Sequence, residues 1–261
     1  PFMDPFAFDP ATVLSLILTF IRVSILLFLL PFYGGDTIPG PVKAALCLVM
    51  TLAVWPQLSF PGELMPGHPL LLLFMVAGEL VMGLVMGLMV RFIFAAVQTG
   101  GQIIGFQMGF AMVNIVDPVT GVSEAVTAHF LYMVTLLTFM VLNGHLMLLH
   151  ALAQSFHVIE PGGLLLNSTL AGTVIDFSNI MFTLAAKVAA PVMAALFLVD
   201  LALALVGRAA PQMNLMMLGF PLKISVGFLF IGMLFSLLSM YVKDFISGFE
   251  PMFFELLSMG R

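Results

Sequence analysis

Long apolar runs alternate with short polar breaks along the chain, at 10–30, 69–97, 118–142, 180–206 and 221–242, with a shorter run at 42–55. A helix needs about 20 apolar residues to cross the hydrocarbon of a bilayer. The five long runs meet that length and predict spanning-length helices; the shorter one is marginal. Asp9-Pro10 and Asp117-Pro118 each read as an Asp N-cap followed by Pro at the first helical position. Asn143-Gly144 reads as the stop of the helix that Pro118 opens, an element of about 37 Å at 1.5 Å per residue. Polar breaks fall at 31–41, 56–69, 144–178 and 207–221, none of them long enough for a separate soluble domain. The predicted fold is all-α, built of apolar, membrane-associated helical hairpins.

One segment departs from this pattern. GGQIIGFQMGFAMVNIVDP, residues 100–118, is too apolar for a surface loop and too rich in glycine for a good helix. In a continuous helix, Gly101, Gly105 and Gly109 at spacing four would form a groove for a neighbour. Yet Gly costs about 1 kcal/mol relative to Ala in a helix interior, and the runs on either side already reach spanning length. A bent or broken-helical segment is therefore expected. Non-helical backbone at membrane depth is tolerated only where protein buries it or water lines it. The segment is thus expected to point into a cavity or pore.

Composition narrows the class. The chain has 261 residues, 62 % hydrophobic and 8 % charged, against roughly 25 % charged in soluble domains. So few charges cannot solvate a globule of this size, so the chain lies in lipid or is wrapped by apolar protein. Its 26 Phe and 21 Met are bulky and adaptable packing residues. The lone Cys47 excludes an internal disulfide framework and a cysteine-based zinc site. A net charge of −5 with no basic run argues against a nucleic-acid partner. Residues 144–178 contain no Lys or Arg, which assigns them to the non-cytoplasmic side. The other breaks discriminate poorly.

Arg22, Glu79, Arg91, Lys187, Asp200 and Lys223 fall inside the apolar runs, and Arg208 just beyond one. A central Arg costs about 2.5–3.5 kcal/mol on insertion scales, so such groups face a partner or a water-filled interior. Glu79 and Arg91 point roughly 120° apart, and Lys187 and Asp200 roughly 140° apart, at about 100° per residue. No local i,i+4 pair is available to them; their partners lie on other helices or other chains. Ion pairing within one bundle, a polar route for ions or substrate, and insertion into a multi-subunit assembly all use these residues. Gly83-x-x-x-Gly87 allows close approach of two helix backbones. Ala186, Ala190 and Ala194 form a second smooth stripe, interrupted by Pro191, which should kink its helix.

No HExxH, GxSxG, Walker or EF-hand pattern is present, so no catalytic, cofactor-binding or metal-binding residue is assigned and no enzymatic activity is expected. His145, His150 and His157, with Glu160, do not share one helical face. A secondary transporter would favour two similar halves, and no persuasive repeat is visible.

The run Gly101-Gln102-Ile103-Ile104-Gly105-Phe106-Gln107-Met108-Gly109-Phe110, followed by Asp117-Pro118, is one distinctive block. A second holds Lys187, Pro191-Val192, Asp200, Arg208, Pro211-Gln212, Asn214 and Gly219-Phe220-Pro221-Leu222-Lys223-Ile224. With these two blocks in order, the chain resembles the R subunit of the bacterial flagellar and type III secretion export gate (FliR-like proteins). The resemblance implies a non-enzymatic subunit that helps form and close the pore for unfolded export substrates. It implies a helical hetero-oligomer with P and Q subunits, contacts with the B subunit and proximal rod components, and membrane lipid around it. It places the assembly in the inner membrane at the flagellar basal body, part of it on the periplasmic side.

On the same resemblance, residues 1–178 form a P-subunit-like part and 179–261 a Q-subunit-like helical hairpin and carboxyl tail. The plug maps to 105–116, with Gly105, Phe106, Gln107, Met108, Gly109, Phe110, Ala111, Met112, Val113 and Asn114 as its residues. Phe106, Met108, Phe110 and Met112 would obstruct the closed pore, glycines would let the segment move, and Gln107 and Asn114 would satisfy backbone groups. Arg22, Glu79, Arg91, Lys187, Asp200, Arg208 and Lys223 would be buried polar contacts between helices or subunits. Gln102 stands where the family often has an acidic residue, so a salt bridge from that position is not open to this chain. The alternative reading is an ion-coupled secondary transporter with buried charged residues.

Overall fold

A chain this apolar has to satisfy its backbone N–H and C=O groups internally, and helices do so within one segment. In the computed structural model, which describes residues 10–33, 38–55, 67–110, 126–160 and 168–259, seven helices account for nearly all of the described chain. They are α1 Pro10–Leu29, α2 Gly40–Val54, α3 Pro69–Met108, α4 Val126–Val141, α5 Gly144–Val158, α6 Ser168–Ala209 and α7 Leu215–Met259. Among the described residues there is no strand. Four helices are long and apolar enough to cross a membrane, and five spans result if the interrupted pair α4–α5 counts as one. The protein is an all-α membrane protein.

Two expectations are corrected here. Residues 101–108 are not a broken segment, because α3 runs unbroken through Gly100, Gly101 and Gly105 to Met108. The reason is packing. A Cβ on Gly100 would meet the Ala185 carbonyl at 3.0 Å, and one on Gly101 would meet Ala128 Cα at 2.7 Å. These glycines admit neighbouring backbones, and that contact outweighs a propensity penalty of about 1 kcal/mol each. The second correction concerns 144–178, taken as a polar break, which is largely helix. Leu148, Ala151, Leu152, Ser155 and Phe156 form one buried face of α5 at the spacing of an amphipathic helix.

Other boundaries have local causes. Asn143 adopts a left-handed conformation, φ 57°, and stops α4 where the sequence signals it. Asn214 opens α7 ahead of Pro221: its side-chain Oδ1 accepts the Met217 N–H at 3.4 Å, the position of an N-cap. Pro191 lies within α6, which continues past it. Asp9, Asp117 and Pro118 lie outside the described residues.

The chain divides into two compact units, each assembled from separated segments. One comprises the residues up to Arg91, Asn143–Phe177 and the residues from Ile246 onward; the other comprises Phe92–Leu142 and Ser178–Phe245.

In the first unit, α1 lies against the first half of α3. A Cβ on Gly83 would stand 2.9 Å from the Arg22 carbonyl, and one on Gly87 2.5 Å from Leu29 Cβ. This approach leaves the Arg22 side chain fully enclosed, at 0 % exposure, with Glu79 at 1 %. Arg22 Nε donates to Glu79 Oε2 at 2.5 Å and Nη2 to Oε1 at 2.9 Å. Nη1 donates to Ser155 Oγ at 3.1 Å, and both terminal nitrogens reach the Ile159 carbonyl at 3.3 Å. The Phe156 ring covers the guanidinium, its centroid 4.1 Å from Cζ. Trp55 Nε1 donates to Ser15 Oγ at 3.0 Å, tying the end of α2 to α1.

In the second unit, a core of Val97, Ile104, Met108, Leu131, Val188 and Leu196 joins α3, α4 and α6, and Ile231, Leu234 and Leu238 bring in α7. Thr127 Oγ1 donates to the Gly101 carbonyl at 2.8 Å, fastening α4 where the glycine admits it.

Removing one member of a buried ion pair leaves an uncompensated charge, whereas removing both does not. Arg22→Met is expected to destabilise the protein by about 3–5 kcal/mol, and Arg22→Met with Glu79→Met to recover most of that loss. Thermal midpoints of the purified variants in one detergent check this; equal midpoints for single and double variants would count against the pair's role.

Candidate functional site

The end of α3 is built from the glycine-rich stretch Gly105–Phe110. Phe110 N donates to the Gly105 carbonyl at 3.1 Å and Gly109 N to the Phe106 carbonyl at 3.1 Å. This double closure is a Schellman motif, and it needs a left-handed residue at the penultimate position. Gly109 supplies it at φ 95°. A Cβ there would also meet the Phe220 ring at 2.7 Å, so backbone angle and space both require glycine.

The final turn of α3 has two faces. Ile104 and Met108, one turn apart, are fully buried. The Met108 thioether lies over Gly227 of α7, where a Cβ would come within 2.7 Å of its sulfur. Phe106 points the other way and is 63 % exposed. Beyond the turn, the Phe110 ring meets Phe228 edge-on at 6.4 Å.

A polar tie closes the same end. Lys223 Nζ of α7 lies 2.5 Å from Asp200 Oδ1 of α6. Gln107 Nε2 of α3 donates to Asp200 Oδ2 at 3.4 Å. One carboxylate thus gathers three helices while its charge is met by one ammonium. The tie holds a helix end in place and leaves the exposed Phe106 face free to meet something else.

Most of the residues singled out in the sequence fall among the described ones. Gly105, Phe106, Gln107, Met108, Gly109 and Phe110 form the α3 terminus; Ala111, Met112, Val113 and Asn114 lie outside the described residues. Glu79 pairs with Arg22 in the first unit and Asp200 with Lys223 in the second. Arg91, Lys187 and Arg208 are exposed on the single chain and make no hydrogen bond or ion pair among the described residues. Their helix faces have no cover in a single copy of the chain. The histidines do not converge: His150 Nδ1 lies 2.7 Å from Glu250 Oε1, and among the described residues no group of three His, Cys, Asp or Glu could hold a metal. Sequence reading missed Ser155, Phe156 and the Ile159 carbonyl around Arg22. The 3–4 spacing of Leu148, Ala151, Leu152, Ser155 and Phe156 was the available signal.

An all-α membrane protein with glycine-packed helices, internally neutralised carboxylates and a capped helix end is thus defined. Residues 13–249 match the family described as bacterial export proteins, family 1, and the chain belongs to that family. It is 32 % identical over 244 residues to the flagellar biosynthetic protein FliR of Escherichia coli K12, covering 91 % of this chain and 90 % of that one. It is 33 % identical over 237 residues to FliR of Bacillus subtilis 168, covering 89 % and 90 %. To the surface presentation of antigens protein SpaR of Salmonella typhimurium it is 27 % identical over 226 residues, covering 86 % and 84 %. It is a component of a flagellar or type III export apparatus of a bacterial membrane.

An alanine forced into the left-handed region costs about 1–2 kcal/mol, before any clash with Phe220. Gly109→Ala is therefore expected to lower the thermal midpoint. Gly172→Ala, in a helix with nothing within 4 Å of the added methyl, is expected to leave it unchanged or raise it. The two midpoints, measured side by side in one detergent, decide the point.

Proposed function

We propose that this chain is a structural and gating subunit of the flagellar type III protein export channel, helping to form and close the pore for unfolded export substrates. One observation carries the reading. Within the second unit, the α6 segment 178–209 and the α7 segment 215–245 follow paths of about 46–48 Å at 1.5 Å per residue. Apolar side chains stand uncovered along both, from Ile180 to Leu205 at 60 % exposure and from Met217 at 76 % to Met240. The hydrocarbon core is about 30 Å thick, and helix tilts seldom exceed about 40°. At the average tilt of about 20° the uncovered apolar stretches, about 35–38 Å along each helix, still outrun the hydrocarbon, which favours added cover by other protein.

The neighbours that fit are the P and Q subunits of the export gate, with the B subunit, proximal rod components and unfolded substrates as further partners. On this reading residues 1–178 are the P-subunit-like part and 179–261 the Q-subunit-like hairpin and tail. The assembly sits in the inner membrane at the flagellar basal body, with part of it on the periplasmic side. The likeness to FliR of Escherichia coli and of Bacillus subtilis, at 32–33 % identity, supports the flagellar assignment.

The end of α3 is the root of the plug. Met108 is the anchor because it is fully buried, and Phe106 with the residues after Gly109 supplies the obstruction. Opening moves the plug outward, driven by an ATPase or the proton-motive force elsewhere in the machine.

Deleting residues 106–113 is expected to make the closed, assembled gate leak small ions. Conductance equal to that of the intact complex in planar bilayers would overturn the plug. Purification from the native membrane in mild detergent tests the assembly: other gate subunits should accompany the chain at fixed stoichiometry, whereas a self-sufficient monomer or homodimer would favour an ion-coupled transporter.

A further inference from the structure

The ionic residues inside the long apolar runs do not balance. Among the described residues the two carboxylates within these runs are already taken, Glu79 by Arg22 and Asp200 by Lys223. What remains is cationic: Arg91 on α3 and Lys187 on α6, each exposed and without an ion pair or hydrogen bond among the described residues. Lys187 lies about 28 Å along α6 from its start and about 33 Å from its end at 1.5 Å per residue. A lysine near a helix end snorkels its ammonium to water along an apolar surface. Seated against another helix in the middle of α6, an ammonium would have no such short path past either end.

The surface around Lys187 is shaped for a helix. Ala186, Ala190 and Ala194, at spacing four, are all exposed on the same side of α6, and small residues there let a second backbone come close. Close approach of a purely apolar helix would strand the ammonium without water or counter-charge, which is strongly unfavourable. A second copy of this chain brings the same surplus cations at the same depth. Its exposed Asp176 lies eleven residues from Lys187, about 16 Å along α6 at 1.5 Å per residue, and would demand an offset antiparallel pairing.

We propose that the Ala186, Ala190 and Ala194 face of α6 docks an apolar helix of a different subunit, and that this helix carries an Asp or Glu whose carboxylate pairs with Lys187 Nζ. The inference rests on the hetero-oligomeric reading above and names the chemistry of one contact within it. This chain is the cation donor at that interface, and its partner supplies the anion.

The test uses the whole assembly, purified from the native membrane with a photo-crosslinking residue at Ala190. The crosslinked peptide should come from another subunit and carry a carboxylate within one turn of the linkage. Lys187→Glu should reduce recovery of that subunit about tenfold or more, as loss of one buried pair does, while Lys187→Arg retains it. Exchanging the identified carboxylate for Lys should restore recovery with Lys187→Glu. Undiminished recovery with Lys187→Glu, a crosslink only to lipid, a crosslink to a second copy near Asp176, or no rescue by the exchange would each overturn the proposal. Because Lys187 is exposed on the chain, Lys187→Glu should accumulate normally in the membrane, and Lys187→Met, which removes the charge without reversing it, should also lose the partner. If the unaltered chain purifies without other subunits, the assembly reading itself fails; if it brings them and Lys187→Glu does too, only this contact fails.

Discussion

A guanidinium with no access to water needs an acceptor for each N–H direction it presents, and Arg22 finds them from three segments of the first unit. Glu79 of α3 takes the bidentate edge, Ser155 of α5 and the carbonyl just past that helix take the far side, and Phe156 covers the face. Apolar side chains alone would hold these helices together while tolerating a slide of one turn. A two-pronged pair does not, because its directionality fixes depth and rotation together. The glycines at 83 and 87 belong to the same constraint, since only their bare backbone lets α1 come near enough to α3 for the pair to close.

The second unit solves a similar problem with a different material. Its helices are tied by one carboxylate at their convergence, but most of their contact is steric: Gly100 and Gly101 admit Ala185 and Ala128, and Gly227 admits Met108. Glycine is a poor helix former and a good contact surface, and in α3 the second property wins. The result is a long helix that ends abruptly, at a residue chosen for its backbone angle, with its last large side chain buried and the one before it, on the opposite face, in the open.

The sequence made much of this legible. The apolar runs located α1, α3, α6 and α7 because a bilayer-length hydrophobic pattern has few other uses. Arg22 with Glu79 and Lys223 with Asp200 meet across helices, but spacing cannot say which charge meets which, since these pairs form only through tertiary packing. Glycine content misled at 101–108, where local propensity pointed to a break and packing made a helix. The stretch 144–158 was obscured for a different reason: its apolar face is only half the circumference of a short helix, so its histidines and glutamine read as a polar break. Arg91 and Lys187 look the same in sequence as Arg22 and Lys223, and only the fold separates the answered cations from the unanswered.

The segments that answer Arg22 are separated by much of the chain, and that has a consequence for how the protein is made. Glu79 follows Arg22 by 57 residues and the Ile159 carbonyl by 137. At about 5–20 residues per second, the ribosome needs roughly 3–11 s to deliver the first and roughly 7–27 s to deliver the second. Phe249 and Phe253, fully buried in the same unit, arrive later still. The first helix therefore leaves the ribosome with a bare cation that nothing yet synthesised can neutralise, and its unit closes only when the last turns of the chain emerge. Entering the bilayer alone, α1 would carry that cation at a cost of about 2.5–3.5 kcal/mol, a penalty relieved only as its companions are made.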